Sequence, residues 1–198
     1  MTVVNSGGAS VAGPAGTSIR FESGQGLGLW ANHHVTRRLA IGFEWSRLSP
    51  DAETNFVVDQ GPSGLGPITT LRHQADIDNL HLTGTLNFLD RDITPFLEVG
   101  IGRTTLDANV SVARAAGLDA NWDDWYDPWW GRVWHPDSVP GSYKDTNTTV
   151  TYAIGVRWDV SSRFTARADY SGIDGHEISA VTGSAKPESL RLGFGWRF

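Results

Sequence analysis

The last nine residues of this 198-residue chain constrain its fold more than any other stretch. Apolar residues occupy every second position there and alternate with arginine or glycine: Leu190, Leu192, Phe194, Trp196 and Phe198 against Arg191, Gly193, Gly195 and Arg197. A period of two predicts a β-strand with one apolar and one polar face. Because the polar face combines large cations with glycine, the pattern is typical of a strand whose apolar side meets lipid and whose other side lines a narrow lumen.

The same alternation predicts six further strands, which lie within residues 17–31, 38–48, 72–88, 94–112, 148–160 and 164–170. The stretch from Arg72 to Asn79 is polar on both faces, so its strand is expected to rise above the bilayer. Lipid does not tolerate an open sheet edge, and single-chain bacterial barrels have an even number of strands. We therefore expect a short eighth strand within residues 1–11. The predicted fold is all-β, an eight-stranded antiparallel transmembrane up-and-down β-barrel that forms one domain over residues 1–198.

The connections between these strands alternate in length. Short turns are predicted at 32–36, 90–93 and 160–163, and long loops at 49–69, 113–147 and 174–187. Outer-membrane barrels have short periplasmic turns and longer extracellular loops. The long loops are therefore expected to face the exterior.

Two features of the sequence resemble a known family. The aromatic final strand ending in Phe198 is similar to the carboxy-terminal signature of bacterial outer-membrane β-barrels. The run from Thr94 to Gly102 resembles the Pro-aromatic-x-x-x-Gly-x-Gly strand of small OmpA-type and OmpW-type barrels. The resemblance implies a location in the bacterial outer membrane and recognition of the last strand by the barrel-assembly machinery. Such a protein is exported, and residues 1–5 show no secretory signal, so we expect a mature form with an added Met.

Composition limits the classes of function. The formal net charge of -6 argues against a nucleic-acid partner, for which a basic surface is expected. The chain has no cysteine, which excludes disulfides and thiol chemistry. Its Gly-x-Gly repeats lie in predicted strands and its histidines form no ligand set, so neither a cofactor nor a metal is expected. The expected partners are the lipids and lipopolysaccharide of the outer membrane.

The inward-facing positions of the predicted strands carry many charged side chains. They are Glu22, Glu44, Glu98, Arg157, Arg167, Asp169, Arg191 and Arg197, together with Arg20 and Asp159. An eight-stranded barrel is just wide enough inside for side chains to fill it, and buried charges must be paired. One interpretation is a structural ion-pair network that plugs the lumen, comparable to the interior network of OmpA-type barrels. The alternative is a narrow gated path for ions or small solutes.

Outward-facing aromatic residues predict a membrane girdle. These are Trp45, Trp158, Tyr170, Trp196 and Phe198. Tryptophan and tyrosine favour the interface, where one end of the side chain is in hydrocarbon and the other meets water.

A second aromatic cluster lies in the longest predicted loop, 113–147. It consists of Trp122, Trp125, Tyr126, Trp129, Trp130 and Trp134, interspersed with aspartates. The rings can pack together or against lipid head groups, or they can form a surface that binds a protein or glycan partner. A calcium site is a third alternative, although the spacing matches no EF-hand loop.

Evidence for catalysis is weak. Lipid A deacylase barrels use a histidine, a serine and a glutamate, and His176, Ser179 and Glu188 lie near the last strand. Ser179 lies three residues after His176, so strand alternation places the two side chains on opposite faces, out of hydrogen-bond reach. We expect no catalytic residues and no enzyme, with a lipid-modifying enzyme kept as a further alternative. The leading expectation is a structural, surface-exposed barrel whose long loops make external contacts.

Overall fold

A computed structural model describes most of the chain: residues 2–6, 9–12, 18–59, 65–108, 124–127, 132–134, 143–174 and 188–196. Among these residues no helix is long and apolar enough to cross a membrane.

Thirteen strands lie within the described residues. They are β1 (Thr2–Ser6), β2 (Ala9–Ala12), β3 (Ser18–Phe21), β4 (Gly24–His34), β5 (Leu39–Leu48), β6 (Asp51–Asp59), β7 (Leu65–Asn87), β8 (Ile93–Ala108), β9 (Asp124–Asp127), β10 (Arg132–Trp134), β11 (Tyr143–Asp159), β12 (Phe164–Asp174) and β13 (Glu188–Trp196).

Eight of these strands pair in a closed antiparallel ring. Their order is β1, β4, β5, β7, β8, β11, β12 and β13, and β13 pairs again with β1. The short first strand joins the two ends, because Val4 lies opposite Arg191 on one side and Gly26 on the other. The predicted eight-stranded barrel, with a first strand drawn from residues 1–11, is confirmed.

The ring strands present apolar side chains outward and polar or small side chains inward. In β8, Leu97, Val99 and Ile101 are exposed, whereas Phe96 and Glu98 are buried. The other long strands follow the same alternation, and Ile154 of β11, with 61% of its surface exposed, is typical of the outer face. An apolar band around the outside suits a barrel in hydrocarbon, where the exterior meets lipid.

The connections at the two ends of the ring differ in length, as expected. Residues 35–38, 88–92 and 160–163 form short turns at one end, which is the periplasmic end. The first turn starts later than predicted, because β4 continues through His34. At the other end a fourth long connection joins β1 to β4.

Three of the predicted segments were wrong in detail. Residues 17–31 do not form one strand, since the chain breaks at Glu22 and Ser23 between β3 and β4. Residues 49–69 are not one loop, because they contain β6 and the beginning of β7. Nor are residues 113–147, which contain β9, β10 and the beginning of β11. The physical reason is the same for the first two segments. The 23-residue β7 extends beyond the ring, and β6 satisfies its backbone groups there while β3 pairs with β6.

These additional strands form an extracellular sheet, which consists of β2, β3, β6, β9, β10 and the Leu65–Gln74 part of β7. Its inner side is apolar. Ile19 and Phe21 of β3 are buried, as is Leu71 of β7. Burial of these large side chains stabilises the extension by removing apolar surface from water.

Replacing Ile154 with arginine is expected to destabilise the barrel by about 2–4 kcal/mol, because a charge would enter the middle of the hydrocarbon band. Urea unfolding in lipid vesicles measures the effect. Val160→Arg, in a short turn, is the matched control and should change stability by less than about 1 kcal/mol. Near-neutral results for both variants would contradict the outward placement of Ile154.

Candidate functional site

Five charged side chains meet inside the barrel, and we call them the interior ion cluster. Glu44 comes from β5, Glu98 from β8, Arg167 and Asp169 from β12, and Arg191 from β13. All five occupy inward positions of the two-residue alternation. Asp169 and Arg191 are direct partners across neighbouring strands.

Glycine on neighbouring strands makes room for these side chains. A Cβ at Gly155 would lie 2.4 Å from the Cβ of Asp169, and one at Gly193 would lie 3.0 Å from the Cγ of Arg167. Both distances are too short for ordinary contact, so a larger residue at either position would displace the cluster. The combination of glycine and arginine on β13 thus reflects the space that the cluster requires.

Arg167 bridges two carboxylates. Its Nη2 donates to Oε1 of Glu98 at 3.1 Å, and its Nε donates to Oδ2 of Asp169 at 2.8 Å. The hydroxyl of Thr85 donates to the other oxygen of Glu98 at 2.9 Å. Glu98, only 2% exposed, therefore has hydrogen-bond donors on both oxygens.

Arg191 links the remaining members. Its Nε donates to Oδ1 of Asp169 at 2.5 Å, and its Nη2 donates to Oε1 of Glu98 at 3.4 Å. Its Nη1 donates to Glu44. The two guanidinium groups thus hold all three carboxylates, with a formal excess of one negative charge.

The pairing explains how these charges are tolerated in the interior. The side chain of Asp169 has no exposed surface, and those of Arg167 and Arg191 are only 6% exposed. An isolated buried ion would cost several kcal/mol in lost hydration, which attraction repays only with good geometry and further hydrogen bonds. Removing one member of the cluster would leave buried hydrogen-bonding groups of its partners unsatisfied.

The other predicted lumen residues lie elsewhere. Glu22 and Arg20 were wrongly placed in the lumen, because the break at 22–23 changes the phase of the alternation; both are exposed, and Arg20 belongs to the extracellular sheet. Arg157 is half-buried near the periplasmic end, where its Nη2 lies 3.3 Å from Oδ2 of Asp159. Arg197 lies outside the described residues.

A hydrogen-bonded polar layer lies next to the cluster on the extracellular side. His81 Nε2 is 2.9 Å from the hydroxyl of Thr149, which is 2.8 Å from that of Thr104. Thr104 donates to Asn79 Oδ1 at 2.8 Å, and Asn79 Nδ2 donates to the hydroxyl of Ser46 at 3.2 Å. The layer connects four consecutive strands of the ring, β5, β7, β8 and β11, along one side of the interior. The sequence analysis did not identify this network, in which His81 is buried.

Beyond the polar layer the interior becomes apolar. Leu48 of β5, Ile77 of β7 and Leu106 of β8 are buried, each on an inward position. Ile19 and Phe21 add the apolar side of β3. The sequence analysis did not predict this layer, because in a single strand over 17–31 Ile19 and Phe21 would share a face with the exposed Leu27 and Leu29.

A cavity of about 830 Å³ lies at the periplasmic end of the interior. Trp30, Asn87, Phe96 and Arg157 are among its lining residues. The guanidinium carbon of Arg167 lies 4.8 Å from the ring centre of Phe96 and 5.6 Å from that of Trp30, which is cation–π geometry. Arg167 also lines the cavity, so the interior ion cluster lies next to its inner end. Trp30 was not predicted here, although extending the alternation from Gly28 by one step would have placed it inward.

The predicted girdle residues lie at two levels of the exterior. Trp158 and Trp196 are about half exposed near the periplasmic end, where Trp196 meets the ring of Phe164 edge-on at 4.5 Å. Trp45 and Tyr170 lie further towards the extracellular end, and the hydroxyl of Tyr170 donates to Glu188. Phe198 lies outside the described residues.

Only part of the aromatic loop can be placed. Trp125 and Tyr126 belong to β9 and Trp134 to β10, and this hairpin joins the extracellular sheet through the pairing of Val58 with Trp125. Trp122, Trp129 and Trp130 lie outside the described residues, as do His176 and Ser179. Glu188 is exposed on β13.

His73 links two strands of the extracellular sheet through a side-chain hydrogen bond. Nε2 of His73 on β7 lies 2.9 Å from the hydroxyl of Thr54 on β6, and Thr54 is buried. Burial lowers the pKa of His73 below its ordinary value. The neutral imidazole therefore persists in the folded sheet at neutral pH.

Comparisons with known proteins agree with this architecture. The model of the family described as outer membrane protein beta-barrel domain matches residues 3–198. Neisserial surface protein A is similar in structure, with 12% sequence identity and a TM-score of 0.57 over 100% of this chain and 96% of that one. The outer membrane protein OprG from Pseudomonas aeruginosa has 13% identity and a TM-score of 0.55 over 100% and 95%. No curated protein sequence matches the chain.

Replacing Asp169 with alanine is expected to cost about 3–5 kcal/mol, because it leaves the buried Nε groups of Arg167 and Arg191 without their hydrogen-bond acceptor. The control is Asp90→Ala, which removes the exposed ion pair with Arg37 at 3.1 Å and should cost less than about 1 kcal/mol. Urea unfolding in vesicles compares the two variants. If both variants lost the same free energy of unfolding, the result would contradict a buried cluster.

Proposed function

Because the chain belongs to the family of outer membrane protein β-barrel domains, we propose that it is a structural, surface-exposed barrel of the bacterial outer membrane. In this proposal ion pairs plug its lumen, and its extracellular sheet and loops make the contacts with the exterior.

The interior ion cluster is the observation that carries the proposal. Arg167 and Arg191 connect the wall formed by β12 and β13 with Glu98 on β8 and Glu44 on β5. Side chains tied across the lumen in this way leave little room for solutes in a barrel of eight strands. The polar layer around His81 and the apolar layer around Leu106 occupy further levels of the same interior.

The extracellular sheet supports a role in surface contact. β7 runs for 23 residues, far more than a membrane requires of a strand, and β6 and the β9–β10 hairpin extend the sheet beside it. The hairpin carries Trp125, Tyr126 and Trp134 of the aromatic loop. Aromatic residues dominate binding hot spots, so we propose that a protein or glycan partner binds on this side. We also propose that the carboxy-terminal strand is the segment that the barrel-assembly machinery recognises.

The cavity favours one alternative, a narrow gated pore. It lies at the periplasmic end, and the interior ion cluster separates it from the layers above. A path from the cavity to the extracellular side would require the ion pairs, and the polar and apolar layers above them, to rearrange. This alternative requires the cluster to break and reform, whereas the structural role requires it to persist.

Planar-bilayer recordings separate the two functions. The structural role predicts no steady conductance for the unmodified protein, since the ion pairs persist. A pore predicts discrete conductance steps, and the size of these steps should change in the variants Glu98→Gln and Arg157→Gln. A variant lacking residues 119–138 should keep the barrel folded and show no conductance, because the β9–β10 hairpin that it removes takes no part in the ring. Discrete steps from the unmodified protein would contradict the structural role.

A further inference from the structure

The three periplasmic turns share one arrangement, and we call their residues 35–38, 88–92 and 160–163 the periplasmic rim. Each turn begins with an exposed apolar residue and then carries at least one arginine. Val35 precedes Arg37 and Arg38 in the first turn. The corresponding residues are Phe88, Leu89 and Arg91 in the second turn, and Val160 and Arg163 in the third.

The charge of the rim is opposite to that of the chain. Its arginines are Arg37, Arg38, Arg91 and Arg163, and its acids are Asp90 and Asp92. The chain as a whole carries a formal net charge of -6. Of the rim arginines, Arg37 pairs with Asp90 at 3.1 Å. The rim thus presents an excess of guanidinium groups at one end of an acidic protein.

Side-chain hydroxyl groups fix the backbone of the first and third turns. The hydroxyl of Thr36 accepts the backbone N–H of Arg38 at 3.2 Å, and that of Ser161 accepts the backbone N–H of Arg163 at 3.2 Å. In each case the hydroxyl lies two residues before the arginine, the geometry of a local side-chain turn. The arginines therefore project from ordered positions and not from loose loops.

The depth of the rim follows from its neighbours. Trp158 of the girdle lies two residues before Val160, and the exposed ring of Phe164 lies one residue after Arg163. Girdle tryptophans mark the boundary between hydrocarbon and head groups. Arginine side chains close to that boundary reach the level of lipid phosphates.

We propose that the periplasmic rim binds the head groups of anionic phospholipids in the leaflet that faces the periplasm. Arg38, Arg91 and Arg163 contact the phosphates, while Val35, Phe88 and Val160 contact the adjoining acyl chains. Guanidinium groups suit phosphate oxygens because they donate two parallel hydrogen bonds. A soluble anionic polymer would satisfy the arginines alone and would leave the apolar residue of every turn in water, so a lipid is the favoured partner.

The test measures lipid selectivity of the full chain in vesicles. Spin-labelled phosphatidylglycerol and phosphatidylcholine are compared at the protein surface by electron paramagnetic resonance. We expect phosphatidylglycerol to be preferred over phosphatidylcholine by about fivefold, which is the effect of one guanidinium group at an anionic surface. Added salt should reduce this preference, because it screens the attraction between the charges. In the triple variant Arg38→Gln, Arg91→Gln, Arg163→Gln, the ratio of phosphatidylglycerol to phosphatidylcholine binding should fall close to one.

The matched control is Arg72→Gln with Arg103→Gln, which removes two exposed arginines from β7 and β8 away from the periplasmic end. It should keep the preference of the unmodified protein. Heat-modifiable migration on gels verifies that every variant is folded. The proposal is overturned if the triple variant keeps its preference or if the control loses as much. It is also overturned if soluble glycerol phosphate at a concentration equal to that of the lipid head groups abolishes the preference, because the free anion would then suffice.

Discussion

The constraint on which the structure depends is that backbone groups in hydrocarbon have no water to bond with. Every strand edge in the bilayer must therefore be paired, and a sheet can achieve this only by closing on itself. The short strand Thr2–Ser6 completes the ring, since it pairs with both β4 and β13. Closure with eight strands then fixes a narrow interior, and the sequence must fill it with side chains.

The interior is filled in levels, each with its own chemistry. The periplasmic cavity ends at Arg167, whose guanidinium group lies near Phe96 on one side and is paired with Glu98 and Asp169. Hydrogen-bonded polar side chains and then buried aliphatic side chains follow towards the exterior. In this order the charged side chains, which lose the most hydration free energy on burial, lie where oppositely charged side chains reach them from other walls of the barrel. It also leaves the extracellular end free to carry a sheet whose stability comes from apolar burial.

How much the sequence could predict depended on the regularity of each segment. The alternation in β8 and β13 is uninterrupted, so the inward positions of Glu98 and Arg191 were readable directly. Glu22 could not be placed in this way, because a two-residue break before β4 resets which positions face inward. β6 has no continuous apolar face, and it is a strand because it pairs with the extended part of β7 and with β3. The contacts among Glu44, Glu98 and Arg191 depend on barrel register, which sequence alternation does not specify.

The central claim is that closure of the ring produces an enclosed, ion-paired interior, and a double-mutant cycle between Glu98 and Arg167 tests it most directly. Glu98→Gln, Arg167→Met and the double variant would be unfolded with urea in vesicles of one composition. Residues that share a buried ion pair are coupled, so we predict an interaction free energy above about 1.5 kcal/mol. A value below about 0.3 kcal/mol would contradict the account, because two side chains facing open water across a wide lumen would behave independently.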